Sequence, residues 1–182
     1  MHRLAIDQGT HSTRAIIFDD KGRVISTARQ PVTLNRRSHS EIEQSPDEIR
    51  QSMQAVVTGV LNNPDVDTLQ IAAAGLATQR SSVLAWDRFT GLPRSPVLSW
   101  PDRRVADKLL TMIDHDQHIR EATGLHLSPH YGAGKLQWLI DHVPAVREGL
   151  AAGTLMMGPL ASYLLHHLTA SREEIIDDAN AS

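Results

Sequence analysis

The sequence contains no cysteine, which excludes a disulfide framework and any thiolate metal centre. Aromatic residues make up only 4% of it, so each of the three tryptophans is worth placing individually. No apolar run approaches the ~20 residues that a membrane-spanning helix needs. Met1 leads into a polar strand start rather than a signal-peptide pattern, so a soluble, cytoplasmic protein is expected. Neither sign of charge dominates: 18 Lys and Arg stand against 21 Asp and Glu, for a net charge of -3. That balance argues against nucleic acid and membrane surfaces as partners. What remains is a chain of 182 residues, 41% hydrophobic and 21% charged, long enough to bury a sizeable core as one domain.

The most informative stretch comes first. Leu4 to Ile6 reads as a strand that runs into Asp7, turns through Gln8-Gly9-Thr10-His11-Ser12, and leaves as a second strand from Thr13 to Phe18. A carboxylate at the end of a buried strand is costly unless it has a role such as holding a cation. A turn of Gly, Thr and Ser offers N–H groups and hydroxyls to an oxyanion. These residues suit a loop that grips a nucleotide phosphate with Asp7 facing magnesium. They suit an ordinary polar hairpin equally well.

A third strand is expected over Val24 to Thr27, after a hairpin turn at Asp19-Asp20-Lys21-Gly22. Asn35 to Gln44 lacks periodicity and reads as a loop. Ser45, Pro46 and Glu48 then form an N-cap, a first-turn proline and a capping box. Ile49, Met53, Val56, Val57, Val60 and Leu61 line one face of the helix that follows, and Asn62-Asn63-Pro64 ends it. The nearly unbroken apolar run Leu69 to Leu76 suits a central strand covered on both faces. Val83 to Trp86 reads as another strand, and Leu155 to Met157 as a short one. Between and beyond them lie helical stripes: Val105, Leu109, Met112 and Ile113; Leu136, Leu139 and Ile140; Leu160, Leu164 and Leu168. The order predicts an α/β fold with one layered core, a mixed sheet flanked by helices of ribonuclease-H-like (actin-like ATPase) type. That fold serves nucleases, ATPases and sugar kinases alike.

Three further clusters carry chemistry. Gln79 and Arg80 follow a strand end, where α/β sheets place ligand contacts, although a surface loop with one arginine reads as well. Trp100-Pro101-Asp102-Arg103-Arg104 offers an indole face to a carbon chain, or else a core Trp, an N-capping Asp102 and two solvated arginines. Thr123 to Tyr131 contains His126 and His130, but Ser128 and Pro129 between them make a shared helical face, and hence a metal pair, a poor reading.

Taken together, these segments resemble the amino-terminal domain of the FGGY carbohydrate kinases, and within them the branch that phosphorylates glycerol. The resemblance rests on Asp7-Gln8-Gly9-Thr10 with Ser12 and Arg14, on Glu43-Gln44-Ser45-Pro46, and on Thr78-Gln79-Arg80. It continues through Trp100-Pro101-Asp102-Arg103-Arg104, Thr123-Gly124, Leu127-Ser128-Pro129, Lys135-Leu136 with Trp138-Leu139, and Asn180-Ala181-Ser182, all in order. It implies an ATP-dependent, magnesium-requiring transfer of the γ-phosphoryl group to a hydroxyl of a sugar or polyol. Asp7 would organise the metal. Thr10, His11 and Ser12 would line the phosphate turn, with Arg14 close to the phosphates. Gln79, Arg80, Ser81, Trp100, Asp102 and His130 would face the acceptor.

Four positions depart from the family pattern. Ser81 stands where a glutamate is usual, His130 (beside Tyr131) where a tyrosine is, Pro101 where a glutamine is, and His11 where a threonine is. The missing carboxylate removes a strong hydroxyl acceptor, so an acceptor other than glycerol is as well supported. The resemblance also places the catalytic-base aspartate beyond Ser182. The chain therefore reads as the first domain of a longer enzyme, expected to be inactive as a kinase alone and open to self-association through an exposed sheet edge. A non-catalytic carbohydrate-binding or regulatory module of the same fold is the alternative. A ribonuclease-H-like nuclease is disfavoured, because no second carboxylate can be placed beside Asp7.

Overall fold

A computed structural model describes residues 1–169, 175–177 and 179–180. The chain forms two compact units, each with its own sheet, where the sequence pattern suggested one core. The first comprises 1–34 and 44–79, the second 35–43 and 80–182.

In the first unit, β1 (His2–Gln8), β2 (Ser12–Phe18) and β3 (Val24–Pro31) form an antiparallel meander, each strand longer than its apolar run suggested. Burial alternates along β1 and β2: Leu4, Ile6 and Gln8 face inward, as do Thr13, Ala15 and Ile17. That face receives the helix. The loop read at 35–44 instead contains two short strands, β4 (Asn35–Arg36) and β5 (Ile42–Gln44). Helix α1 (Pro46–Leu61) buries Ile49, Met53, Val56 and Val60. Its Ser52 hydroxyl lies 2.6 Å from that of Thr13 on β2. Ser45 caps it by accepting from the Glu48 N–H. The capping box is not reciprocal, because the Glu48 carboxylate accepts instead from the N–H and hydroxyl of Thr33, at 3.0 and 2.8 Å.

β6 (Ile71–Thr78) pairs parallel with β1 and completes the sheet in the order β3-β2-β1-β6. A central strand covered on both faces was expected here. β6 is an edge strand, and Ala72, Ala73, Ala74, Gly75 and Ala77 are exposed. An unbroken apolar run of small residues fits either environment, because alanine buries little area and carries no polar group to forbid either.

The second unit holds a sheet in the order β4-β5-β8-β7-β9, with β7 spanning Val83–Asp87, β8 Val97–Leu98 and β9 Leu155–Pro159. The strands expected at Val83 and Leu155 are both present and pair antiparallel. The stripe from Val105 to Ile113 is broken. Only α2 (Ala106–Leu110) and a 3₁₀ turn form there; Ile113 is more than half exposed and Met112 a little over a third. α3 (Asp116–Thr123) ends at Gly124, which takes the left-handed φ of 76°. α4 (Gly132–His142), α5 (Pro144–Ala151) and α6 (Leu160–Leu168) follow. Val83, Ala85 and Leu98 of the sheet pack with Leu139 and Val146 of the helices and with Leu155. No helix among the described residues is long and apolar enough to cross a membrane.

Candidate functional site

The first set of candidate residues sits at the carboxyl end of β1. Asp7 is on the sheet face opposite α1, in register with Arg14 of β2. Arg14 donates to Asp7 Oδ2 at 2.9 Å, and both side chains are about half exposed (54% and 49%). The turn between them is closed by the Gly9 N–H, which donates to the Ser12 carbonyl at 3.0 Å. A β-carbon at Gly9 would come within 3.3 Å of that oxygen. The turn therefore favours glycine for close approach. His11 is exposed, and its carbonyl accepts from the Val32 N–H.

Behind the turn lies a buried network that sequence reasoning did not anticipate. Gln79 Nε2 donates to Gln8 Oε1 at 3.1 Å and to Gln44 Oε1 at 2.8 Å. Gln44 Nε2 donates to the Thr10 carbonyl at 2.9 Å, and Gln8 Nε2 to the Gly9 carbonyl at 2.8 Å. Three glutamine side chains thus buttress the carbonyl side of the turn. Gln79 was expected at the acceptor. The structure buries it here, holding Gln8 and Gln44.

A metal at Asp7 can be tested against this geometry. Magnesium keeps several waters and takes one or two carboxylates plus phosphate oxygens. A single half-exposed carboxylate beside an arginine fits that mode. Among the described residues, no group of three or more His, Cys, Asp or Glu forms an all-protein cage.

The second set lies in the second unit. Arg80 is exposed. Ser81 is buried and has a φ of 59°, the left-handed region that a non-glycine residue rarely enters. Trp100 is 39% exposed rather than a core residue, and its ring meets that of His130 edge-on at 5.8 Å. His130 stacks edge-on with Tyr131 in turn, at 5.5 Å. Burial, together with the charges of Lys135, Arg103 and Arg80, lowers the His130 pKa below its usual 6.5. The imidazole is therefore neutral at neutral pH and offers one donor and one acceptor.

Asp102 and Arg104 occupy a different place from the one suggested by their motif. Asp102 is fully buried; it accepts from the Ile42 N–H at 2.7 Å and from the Arg104 guanidinium at 2.8 Å. Arg104 is not solvated. Its guanidinium also reaches Glu43 Oε1 at 2.8 Å and lies 4.4 Å over the Trp138 ring. Burial opposes its charge, but its hydrogen bonds to the Asp102 and Glu43 carboxylates outweigh this and raise its pKa. Arg103, by contrast, is exposed. Asp102 thus holds the Trp100 segment to β5 from within.

Lys135 is buried on α4 with its ammonium against four main-chain oxygens, those of Ser81, Ser99, Trp100 and His130. A lysine one turn into a helix gives no sequence signal for such a cradle. His126 pairs with Asp116 at 3.3 Å, away from His130. A mainly apolar cleft of about 460 Å³, lined among others by Leu109, Met112, Leu125 and Leu127, takes in Thr123, His126, Ser128 and Tyr131 of the third cluster but none of the residues that the resemblance assigns to phosphate or acceptor. Asn180 bonds to Asp177, while Ala181 and Ser182 lie outside the described residues.

Residues 2–182 match the model of the FGGY family of carbohydrate kinases, N-terminal domain. The chain belongs to the FGGY family of carbohydrate kinases. It is 40% identical over 181 residues to a glycerol kinase of Alkalilimnicola ehrlichii and 36% identical to one of Acinetobacter baylyi, in each case over 98% of this chain and 37% of the relative. The chain thus spans a little over a third of the length of these relatives. Among solved structures, Plasmodium falciparum glycerol kinase with ADP superposes with a TM-score of 0.86 at 24% identity, over all of this chain and 38% of that one. A Rhodospirillum rubrum xylulose kinase gives 0.82 at 21%, over 97% of this chain and 36% of that one. The FGGY fold is thereby shared with kinases that act on different acceptors, and the expected ribonuclease-H-like, actin-like ATPase class is borne out.

Proposed function

We propose that this chain supplies the phosphate-gripping turn and the acceptor-binding loops of an ATP-dependent kinase. The enzyme would transfer the γ-phosphoryl group to a hydroxyl of a small sugar or polyol. The observation that carries the reading is the placement of Asp7 and Arg14. They are neighbours across β1 and β2, half exposed, at the mouth of a turn in which a β-carbon at position 9 would come within 3.3 Å of the Ser12 carbonyl oxygen.

Each residue then has a physical task. Arg14 offers a bidentate fork to phosphate oxygens once it releases Asp7. Thr10, His11 and Ser12 border the phosphates from the turn. Asp7 would hold magnesium, which when bound supplies charge neutralisation on the phosphate oxygens. Trp100 presents an apolar face to the carbon chain of the acceptor, and His130 beside it a neutral polar edge. Arg80 donates to acceptor hydroxyls. Gln79 and Asp102 act from behind, the first by bracing the turn and the second by bracing the Trp100 segment. Catalysis of this kind rests on positioning and charge rather than covalent chemistry. The proton of the attacking hydroxyl goes to a carboxylate base, which the family resemblance places outside the matched region.

The acceptor is narrowed by Ser81. A buried serine at this position offers no carboxylate to bind a hydroxyl, so the acceptor must gain its orientation from Arg80, Trp100 and His130. Titration of the ¹⁵N-labelled chain tests the reading. ATP with magnesium is expected to shift the amides of Asp7 to Arg14, and a polyol or ketose those of Arg80, Trp100 and His130. Saturating nucleotide without any shift in the turn would overturn it.

A further inference from the structure

Lys135 is completely buried, yet among the described residues its ammonium is bonded to main-chain oxygens and to no carboxylate. Its Nζ donates instead to four carbonyl oxygens: Ser81 at 2.9 Å, Ser99 at 3.1 Å, Trp100 at 3.1 Å and His130 at 3.0 Å. An ammonium has three hydrogens, so four acceptors must share them, and no neutral side chain offers as many donors from one point. Burying a charge this way is costly unless the contacts do something that an apolar side chain would not.

The four oxygens come from three separate loops. Ser81 belongs to the segment after β6, Ser99 and Trp100 to the segment after β8, and His130 to the segment entering α4. These loops carry Arg80, Trp100 and His130, the three side chains assigned above to the acceptor. A second tie joins two of the loops, since the Trp100 N–H donates to the Ser82 hydroxyl at 2.9 Å. Ser81, which has a left-handed φ of 59°, presents its carbonyl to the same ammonium.

We infer that Lys135 is a positioning residue: one buried cation gathers the three acceptor-binding loops and fixes the spacing of Arg80, Trp100 and His130 without touching the acceptor. The inference rests on the acceptor reading for its functional part and on the carbonyl cradle alone for its structural part. The charged groups facing the ammonium are Asp102, which favours its charge, and Arg103 and Arg104, which oppose it. His130 and Arg80 stand on the loops it holds. Burial dominates and lowers the Lys135 pKa from 10.5 to about 8. Loss of the proton removes one donor and turns a lone pair toward the carbonyls, so all three loops should report the same event.

The test uses ¹⁵N-labelled chain, wild type and Lys135→Met, with glycerol as the probe. In the wild type, the amides of Ser81, Trp100 and His130 are expected to titrate together with one midpoint near 8. His130 itself titrates below 6.5 and is thereby distinguished. In Lys135→Met the shared titration disappears, core amides such as Ala85 stay in place, and glycerol affinity drops at least ~10-fold, as displaced contact groups require. Unchanged loop amides in the variant, or glycerol affinity within about twofold of wild type, would overturn the inference. If the variant does not fold, the wild-type titration decides, and three loops with unrelated midpoints overturn it. Failure of the wild type to bind glycerol overturns glycerol as acceptor, while the loop titration still tests the cradle.

Discussion

The guanidinium of Arg104 lies 4.4 Å above the ring of Trp138 while its nitrogens reach Asp102 and Glu43, both at 2.8 Å. Glu43 is held from its other oxygen by Arg37, at 2.6 Å. Two motif segments 61 residues apart are therefore joined by one side chain.

Arg104→Lys is expected to destabilise the second unit by about 2–4 kcal/mol, because a lysine cannot stack on the indole and span both carboxylates. Urea unfolding followed by tryptophan fluorescence measures this. A loss below about 1 kcal/mol would show that the carboxylates re-pair without the planar fork.

Gln79→Ala removes the amide that donates to both Gln8 and Gln44. The expected cost is about 1–3 kcal/mol, the penalty for taking a partner from buried acceptors. Gln79→Glu should cost more, since it sets a carboxylate against two carbonyl oxygens. Thermal unfolding by circular dichroism ranks the two. Equal midpoints for wild type and Gln79→Ala would mean that the network does not brace the turn.

How far these contacts were legible differs by kind. The capped helix α1 and the opening meander declare themselves through Ser45, Pro46 and a two-residue alternation. β4 and β5 do not, because two or three residues are too few to display a period. The exposure of β6 is hidden for another reason: Ala72 to Ala74 have the same composition whether covered or bare. In the candidate site, Asp7 and Arg14 were legible because strand register places them together. Gln8, Gln44 and Lys135 were not. Their partners are main-chain oxygens or side chains dozens of residues away, which no local pattern encodes.

Asp87 gives a pH-dependent expectation. The Thr90 N–H and hydroxyl, followed by Arg94, hold its carboxyl down to about 2, against an ordinary 3.8. Its folded-state value is thus depressed. The associated stability is fully present above 3.8 and is lost as the pH falls through about 2. The unfolding-midpoint difference between wild type and Asp87→Asn should be constant near neutrality and shrink across that acidic window. A difference unchanged down to the lowest pH would reject the assignment.

Asp7→Asn separates stability from ligand binding. The Asp7–Arg14 pair is half exposed, so its loss should cost less than about 1 kcal/mol. Affinity for ATP with magnesium should nevertheless fall ~10-fold or more, because the residue's task is the cation rather than the fold. Calorimetric titration of both proteins reads this directly. Unchanged affinity would remove Asp7 from the metal role and return the turn to an ordinary hairpin.

The free edge of β6 sets the last expectation. Between Ile71 and Thr78 the strand carries no charge and no proline, and most of its side chains are exposed. Natural edges are usually guarded by lysine, proline or a bulge; β6 has a register shift at Ala72, between Ile71 and Ala73, but its regular stretch Ala73–Thr78 offers an unguarded row of N–H and C=O groups. Leu69, just before it, is 94% exposed and adds apolar area at the same margin. The purified chain should therefore self-associate in a concentration-dependent way through β6. Ala73→Lys should return it to a monomer with stability changed by less than about 0.5 kcal/mol, as for a surface site. Sedimentation velocity over a dilution series checks both halves. A wild-type chain that stays monomeric up to about 100 µM would show that the exposed edge lacks the apolar area needed to hold a second strand.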